Sequence, residues 1–397
     1  MKYRNFGSTG FNVSALGLGC MRLPTQRFRI QKINVPKAVE LIRASVDKGI
    51  NYMDTGLPYH LGESERVLGQ ALAGGYREKV HLVTKLPMFL VNRESDFDKY
   101  LDRQLSKLKT DYLDTYLFHA LNRGGFEKLK KFNMIEKMLA AQKAGRIKYI
   151  GFSFHDTLPV FREIVDYFSW DVVQIQYNYM DTGAQATTEG LEYAAGKGMA
   201  VVIMEPLKGG MLANPPAEAL SVLEKSDIKR SPVDWALQYL WNRPEVSVVI
   251  SGMGNMRMLT ENCESADRSG VGILTGDELG TINELIEIYR KNIIVPCTAC
   301  QYCMPCSYGV NIPQNFAYLN NMASRNAFFH NVPIRWNFRK LVRSTKKLNA
   351  EKTNGNAVLC TECGVCVKKC PQFINIPEEL KKVNAAAGRE KKEVQQS

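Results

Sequence analysis

The chain has 397 residues, 45% hydrophobic and 23% charged, with 52 Lys and Arg against 40 Asp and Glu. That length exceeds what one hydrophobic core usually serves, and the composition is that of a folded globular protein, which excludes a fibrous or largely disordered chain. The opening MKYRNFGSTGFNVSALG lacks the apolar run of a signal peptide, and no uninterrupted apolar stretch of about 18 residues occurs, so a cytoplasmic protein with no membrane span is expected.

Up to residue 292, short β-branched runs alternate with helical stretches. The predicted strands are 14–18, 50–54, 80–85, 114–119, 147–153, 172–176, 200–204 and 246–250. Between the first two, VPKAVELIRASVDKGI repeats Val39, Ile42 and Val46 at helical spacing and stops at Gly49. Near-continuous apolar strands separated by helices signal a parallel sheet covered on both faces. Eight such units in about 290 residues predict a closed (β/α)8 TIM barrel. A last long helix is predicted over 275–292. The chain is thus expected to divide into a barrel domain over 1–292 and a small ferredoxin-like, partly helical iron–sulfur domain over 293–397.

The composition changes at that boundary. Of ten cysteines only Cys20 and Cys263 precede residue 297, and from there on 15 Lys and Arg face 6 Asp and Glu, leaving 37 against 34 before it. The segment contains a loose duplication, CTACQYCMPCSYGVNIP from Cys297 and CTECGVCVKKCPQFINIP from Cys360. Each copy ends in Asn-Ile-Pro, a helix-start signal at Asn311 and Asn375. Cys360, Cys363, Cys366 and Cys370, followed by Pro371, match the bacterial ferredoxin spacing, in which the fourth cysteine serves the other cluster. Two [4Fe-4S] clusters are therefore expected, one on Cys297, Cys300, Cys303 and Cys370, the other on Cys360, Cys363, Cys366 and Cys306. The first array departs from the run by having two residues between Cys303 and Cys306. Zinc ribbons use paired cysteines, not triplets with a distant fourth, and disulfides are disfavoured in a reducing compartment.

The excess positive charge lacks the aromatic array or reading helix of a nucleic-acid binder, so no nucleic-acid partner is expected. It balances the cluster charge, and it suits an acidic redox partner such as a ferredoxin or flavodoxin. Its densest stretch holds Arg335, Arg339, Lys340, Arg343, Lys346 and Lys347.

Chemistry in the barrel is expected at the strand ends, where catalytic groups of this architecture gather. Asp54 and Tyr59 follow the second predicted strand, Lys85 ends the third and His119 ends the fourth. A carbonyl accepting hydride develops negative charge on oxygen and needs a proton donor. Tyr59 can serve if Lys85 stabilises its phenolate, Asp54 holds Lys85, and His119 polarises the carbonyl. The remaining histidines, His60, His81, His155 and His330, are read as structural.

The opening YRNFGSTGFNVSALGLG, the segments DTGLPYHLGESE, IGFS, VVQIQYN and EPLKGG, Thr84-Lys85 and the histidine of LFHAL together resemble the aldo-keto reductase family. With the cysteine segment, the whole chain resembles its bacterial subgroup ending in a ferredoxin-type domain. The resemblance implies carbonyl reduction of a small-molecule substrate with NAD(P)H by the tetrad Asp54, Tyr59, Lys85 and His119. It places the nicotinamide cofactor on Ser153, Gln174, Met204, Leu207, Gly252, Gly254 and Asn262. Three departures stand out. Phe154 replaces the family's amide-binding Asn, Met204 its stacking tyrosine, and of the cations for a 2'-phosphate only Arg257 remains, one position displaced. Because nicotinamide gives two electrons together and iron–sulfur centres pass one, either the clusters are structural or a flavin or an external donor intervenes.

Overall fold

The computed structural model describes residues 1–26, 29–323 and 355–386. The basic stretch from Arg335 to Lys347 and His330 lie outside the described residues. The eight predicted strands form one closed parallel barrel: β1 Leu16–Gly19, β2 Tyr52–Asp54, β3 His81–Leu86, β4 Leu113–Leu121, β5 Ile147–Phe154, β6 Val172–Gln176, β7 Ala200–Met204 and β8 Val246–Ser251. Each strand pairs with its sequence neighbour, and β8 pairs with β1 to close the sheet.

The strand pattern explains the closure. Residues such as Tyr52, Val83, Leu117, Val172, Val202 and Val248 fill the interior, while alternate residues pack outward on the helix layer. Each fully buried aliphatic side chain contributes roughly 1.5 to 3 kcal/mol, so the two-sided burial offsets the loop ordering that parallel connection requires. Of the predicted barrel residues, Ala15, Ile50, Asn51 and Val80 lie just outside the strands, and Ser14 joins a different sheet. It pairs with Tyr3 in a two-stranded hairpin, Tyr3–Asn5 with Asn12–Ser14, and its hydroxyl donates to the Leu16 carbonyl at 2.7 Å. A local apolar run does not distinguish the end of a hairpin from the start of the next strand.

The described residues pack as two compact units, Met1–Pro206 with Val233–Thr275, and Leu207–Pro232 with the described residues from Gly276 onward. The stretch Leu207–Pro232, which sequence order puts inside the βα repeat, thus packs with the cysteine segment. Within this second unit Arg230 pairs with Glu278, and Gly209 backs directly onto Thr298. A Cβ at Gly209 would lie 1.9 Å from the Thr298 carbonyl oxygen, and its φ of +67° already disfavours a side chain. The helix predicted over 275–292 is Gly276–Asn292. The two Asn-Ile-Pro signals open Ile312–Ala323 and Ile376–Ala386, and the Asn311 side chain accepts from Gln314 N at 3.3 Å as a cap. Val310, Ile312, Phe316, Ile376, Leu380 and Val383 form this unit's own core. Among the described residues no helix is long and apolar enough to cross a membrane.

Candidate functional site

Asp54 ends β2, Lys85 lies in β3 and His119 in β4, so parallel register alone carries the three side chains to one end of the barrel. Lys85 Nζ donates to Asp54 Oδ2 at 2.6 Å and to the Thr55 carbonyl at 2.7 Å, and stands 3.4 Å from the Tyr59 hydroxyl. The Tyr59 and His119 rings meet edge to face at 5.9 Å. All four side chains are buried. Burial pushes the Asp54 carboxyl up, and the Lys85 ammonium opposes that rise. His119 is held well below the usual imidazole range, first by burial and then by the Lys85 charge, so at neutral pH it is an uncharged ring able to donate one hydrogen bond.

Tyr59 opens a tight turn, Tyr59–Gly62, in which His60 (φ 51°) and Leu61 (φ 57°) are both left-handed. Each such residue costs roughly 1 to 2 kcal/mol. The turn is therefore held from outside: His60 Nε2 accepts from Leu23 N at 3.2 Å, and Lys107 Nζ donates to the Gly62 carbonyl at 2.6 Å.

The residues expected to contact nicotinamide divide into two groups. Ser153 and Gln174 are register partners on β5 and β6, and both are buried. Ser153 Oγ accepts from Ala120 N at 2.7 Å, which leaves its hydroxyl proton to donate. Gln174 Nε2 reaches Met204 Sδ at 3.7 Å, while its Oε1 has no hydrogen-bond partner among the described residues. A buried orphan acceptor beside a free hydroxyl proton fits a carboxamide, which offers one donor group and one acceptor. Phe154, by contrast, packs outward on Phe161 at 4.9 Å in the helix layer, and so adds nothing polar. Beyond β8, Asn262 Nδ2 donates to Ser251 Oγ at 3.1 Å, and Gly252 is closely covered by Arg22, whose Cγ would lie 2.7 Å from a Cβ there. The Arg22 backbone carbonyl stands 3.6 Å from the same construction on Gly254. Arg257 is exposed and paired with Glu261 at 2.7 Å. Leu207 packs with the second unit.

The eight cysteines line two cavities. One is walled by Cys297, Cys300, Cys303 and Cys370, the other by Cys306, Cys360, Cys363 and Cys366. Each array thus contributes three sulfurs to one cavity and one to the other. Among the described residues no three His, Cys, Asp or Glu side chains converge closely enough for a single ion. Sulfurs spaced around a cavity suit a cubane better than a tetrahedral zinc. Left-handed backbone at Ala299, Gln301 and Glu362 curls these loops, and Ala299 N donates to Cys297 Sγ at 3.4 Å. Burial and the neighbouring Cys300, Cys297 and Cys370 push the Cys303 thiol up to about 12, so a thiolate there needs a bound metal.

Several residues at the barrel site carry no sequence signal. Phe89, largely exposed, brings its ring 5.9 Å from His119. Arg22, Gln104 and Lys107 look like ordinary helix or loop polar residues until the fold closes, whereas Glu65 ends the segment DTGLPYHLGESE.

The buried histidines give a pH dependence. His81 and His155 are lowered to about 4, in both cases chiefly by burial, and His119 lies well below its ordinary value. Above the unfolded value near pH 6.5 all three are neutral in both states. As pH falls, only the unfolded chain takes up protons, so stability is lost. Each histidine is expected to cost about 1 kcal/mol between pH 6.5 and 5.5. Thermal midpoints measured across that interval should fall. A flat curve would contradict neutral, buried rings.

Asp54, Tyr59, Lys85 and His119 thus gather at one end of a closed (β/α)8 barrel. Residues 15–287 match the model of the Aldo/keto reductase family, and residues 296–376 that of a 4Fe-4S dicluster domain. The chain belongs to the aldo/keto reductase family, and it carries a C-terminal 4Fe-4S domain. It is similar to the uncharacterized oxidoreductase YqkF of Bacillus subtilis, 27% identical over 302 residues, covering 67% of this chain and 92% of that protein. It is also 28% identical over 233 residues to an NADH-specific methylglyoxal reductase of Escherichia coli, covering 53% and 69%. Among solved structures, aldo-keto reductase AKR11C1 from Bacillus halodurans superposes with a TM-score of 0.59 at 25% identity, over 72% of this chain and 96% of that one.

Proposed function

We propose that the barrel reduces a small carbonyl compound with NADH or NADPH, Tyr59 giving the proton, and that the cysteines hold two [4Fe-4S] clusters for one-electron transfer. The observation that carries this reading is the Lys85 ammonium, which touches Asp54 and stands beside the Tyr59 hydroxyl. Bound nicotinamide supplies the hydride. Ser153 donates to its carboxamide oxygen and Gln174 Oε1 accepts from its amide. His119, neutral, donates to the substrate oxygen without surrendering a proton. Tyr59 protonates that oxygen, and Lys85 stabilises the phenolate left behind. Arg257, one position displaced and held in an exposed ion pair of small net worth, is the cation left for a 2'-phosphate, which favours a site tolerant of NADH.

In the cysteine segment, three thiolates of one array and one of the other hold each cluster. Lys368 and Lys369, exposed beside Cys370, suit an acidic ferredoxin or flavodoxin as donor. A second reading, an electron-transfer protein whose barrel is a docking scaffold, draws on Phe154, whose packing leaves the amide site one polar group short. A flavin would be needed only if nicotinamide and clusters exchange electrons.

The test uses full-length protein purified without oxygen. Methylglyoxal is expected to be turned over with NADH and with NADPH, and each cofactor is titrated while the visible iron–sulfur absorbance is followed. Absence of turnover, with clusters that respond only to an external one-electron donor, would replace the first reading by the second.

A further inference from the structure

We propose that Glu65 and Lys107 form a charged strut that sets the separation of Tyr59 from Lys85. The inference rests on the proton-donor reading above and adds to it two positioning residues.

Glu65 belongs to the helix Ser64–Ala71, and Lys107 to a second helix, Asp96–Leu108. Glu65 is fully buried. Its Oε1 accepts from Thr84 Oγ1 at 2.9 Å and from Gln104 Nε2 at 2.6 Å, and Gln104 Nε2 also lies 3.0 Å from the Lys85 carbonyl. Tyr116 OH donates to Gln104 Oε1 at 2.7 Å and fixes that amide's orientation. One carboxylate oxygen is thus tied to the backbone that carries Lys85.

The other oxygen, Glu65 Oε2, stands 3.7 Å from Lys107 Nζ, and the same ammonium donates to the Gly62 carbonyl. Gly62 closes the strained turn that begins at Tyr59. So the second oxygen, which has no hydrogen bond among the described residues, is linked by charge alone through Lys107 to the segment that carries the hydroxyl. Left-handed His60 and Leu61 are strained, so the segment keeps this shape only while contacts from outside hold it. Without the strut the turn relaxes, and the 3.4 Å approach of Lys85 Nζ to the Tyr59 hydroxyl lengthens. Misplacement by about 1 Å is enough to lower a rate by about 10²-fold.

Neither residue touches the reacting atoms. Lys85 stands beside the Tyr59 hydroxyl with Asp54 behind it, and the His119 ring packs edge to face on the Tyr59 ring.

The variants are Lys107→Met, Lys107→Arg and the double Lys107→Met with Glu65→Gln, which leaves no uncompensated buried charge and so preserves folding. With methylglyoxal and NADH, kcat of Lys107→Met and of the double variant is expected to fall about 10²-fold, with nicotinamide Kd and substrate KM unchanged, because positioning acts on the transition state. Lys107→Arg keeps both the charge and the donor and is expected to recover most of the loss. A folded double variant with kcat within about twofold of the parent, or a loss matched by weakened nicotinamide binding, overturns the strut. Tyr59→Phe is measured in parallel. If it is inactive beside a normal double variant, the strut alone fails. If it is fully active, the proton-donor reading fails, and the strut with it.

Discussion

Replacing Tyr59 by Phe is expected to lower kcat for carbonyl reduction by about 10² to 10⁴, the usual range for a positioned acid, which corresponds to about 3 to 5 kcal/mol of transition-state stabilisation. The substitution removes one oxygen and leaves the ring, so packing against His119 and the cation–π approach of Lys85 at 5.1 Å survive. Nicotinamide affinity should hold, because Ser153 and Gln174 sit on other strands. His119 does not substitute for the lost acid. Its depressed pKa keeps it neutral, and an uncharged imidazole is a poor proton donor at neutral pH. Steady-state kinetics with methylglyoxal and nicotinamide binding by fluorescence check this. A Tyr59→Phe enzyme turning over at the parent rate would remove the proton donor from the site.

The second large effect concerns iron. If the arrays exchange their fourth ligands, Cys297→Ala with Cys370→Ala damages one cluster only. Iron and visible absorbance of protein prepared without oxygen are then expected to fall to about half. Cys297→Ala with Cys306→Ala damages both, and nearly all the iron should be lost. Arrays that each served a single cluster would reverse the two results. The cavity walls favour exchange, since Cys370 faces Cys297, Cys300 and Cys303 while Cys306 faces Cys360, Cys363 and Cys366. The second unit is expected to lose stability with its iron, because its core of short helices packs around those loops and cluster binding is coupled to folding.

Much of this is legible without coordinates. Alternating apolar strands and helices suffice for the barrel, because a parallel sheet buried on both faces leaves a pattern that few other folds share. The nearness of Asp54, Lys85 and His119 is legible because each lies at or near a strand end, where closure guarantees a common face, whereas Tyr59 is brought to them by the turn after β2. The Asn-Ile-Pro signals are legible because helix caps are local chemistry. Strand ends fare worse. β4 runs to Leu121, two residues past the expected His119, and Ser14 joins a hairpin instead of β1.

By itself, then, the sequence determined what periodicity and short spacing can encode: eight strands, a Tyr five residues after an Asp, and cysteines three apart. Tertiary structure alone decided which groups separated by tens of residues meet. It put Lys107 on the Gly62 carbonyl and Glu65 on Gln104, turned Phe154 away from Gln174 and packed Leu207–Pro232 with the cysteine segment. The physical reason is that such meetings depend on barrel register and helix docking, which are properties of the closed chain and leave no mark on the residues nearby.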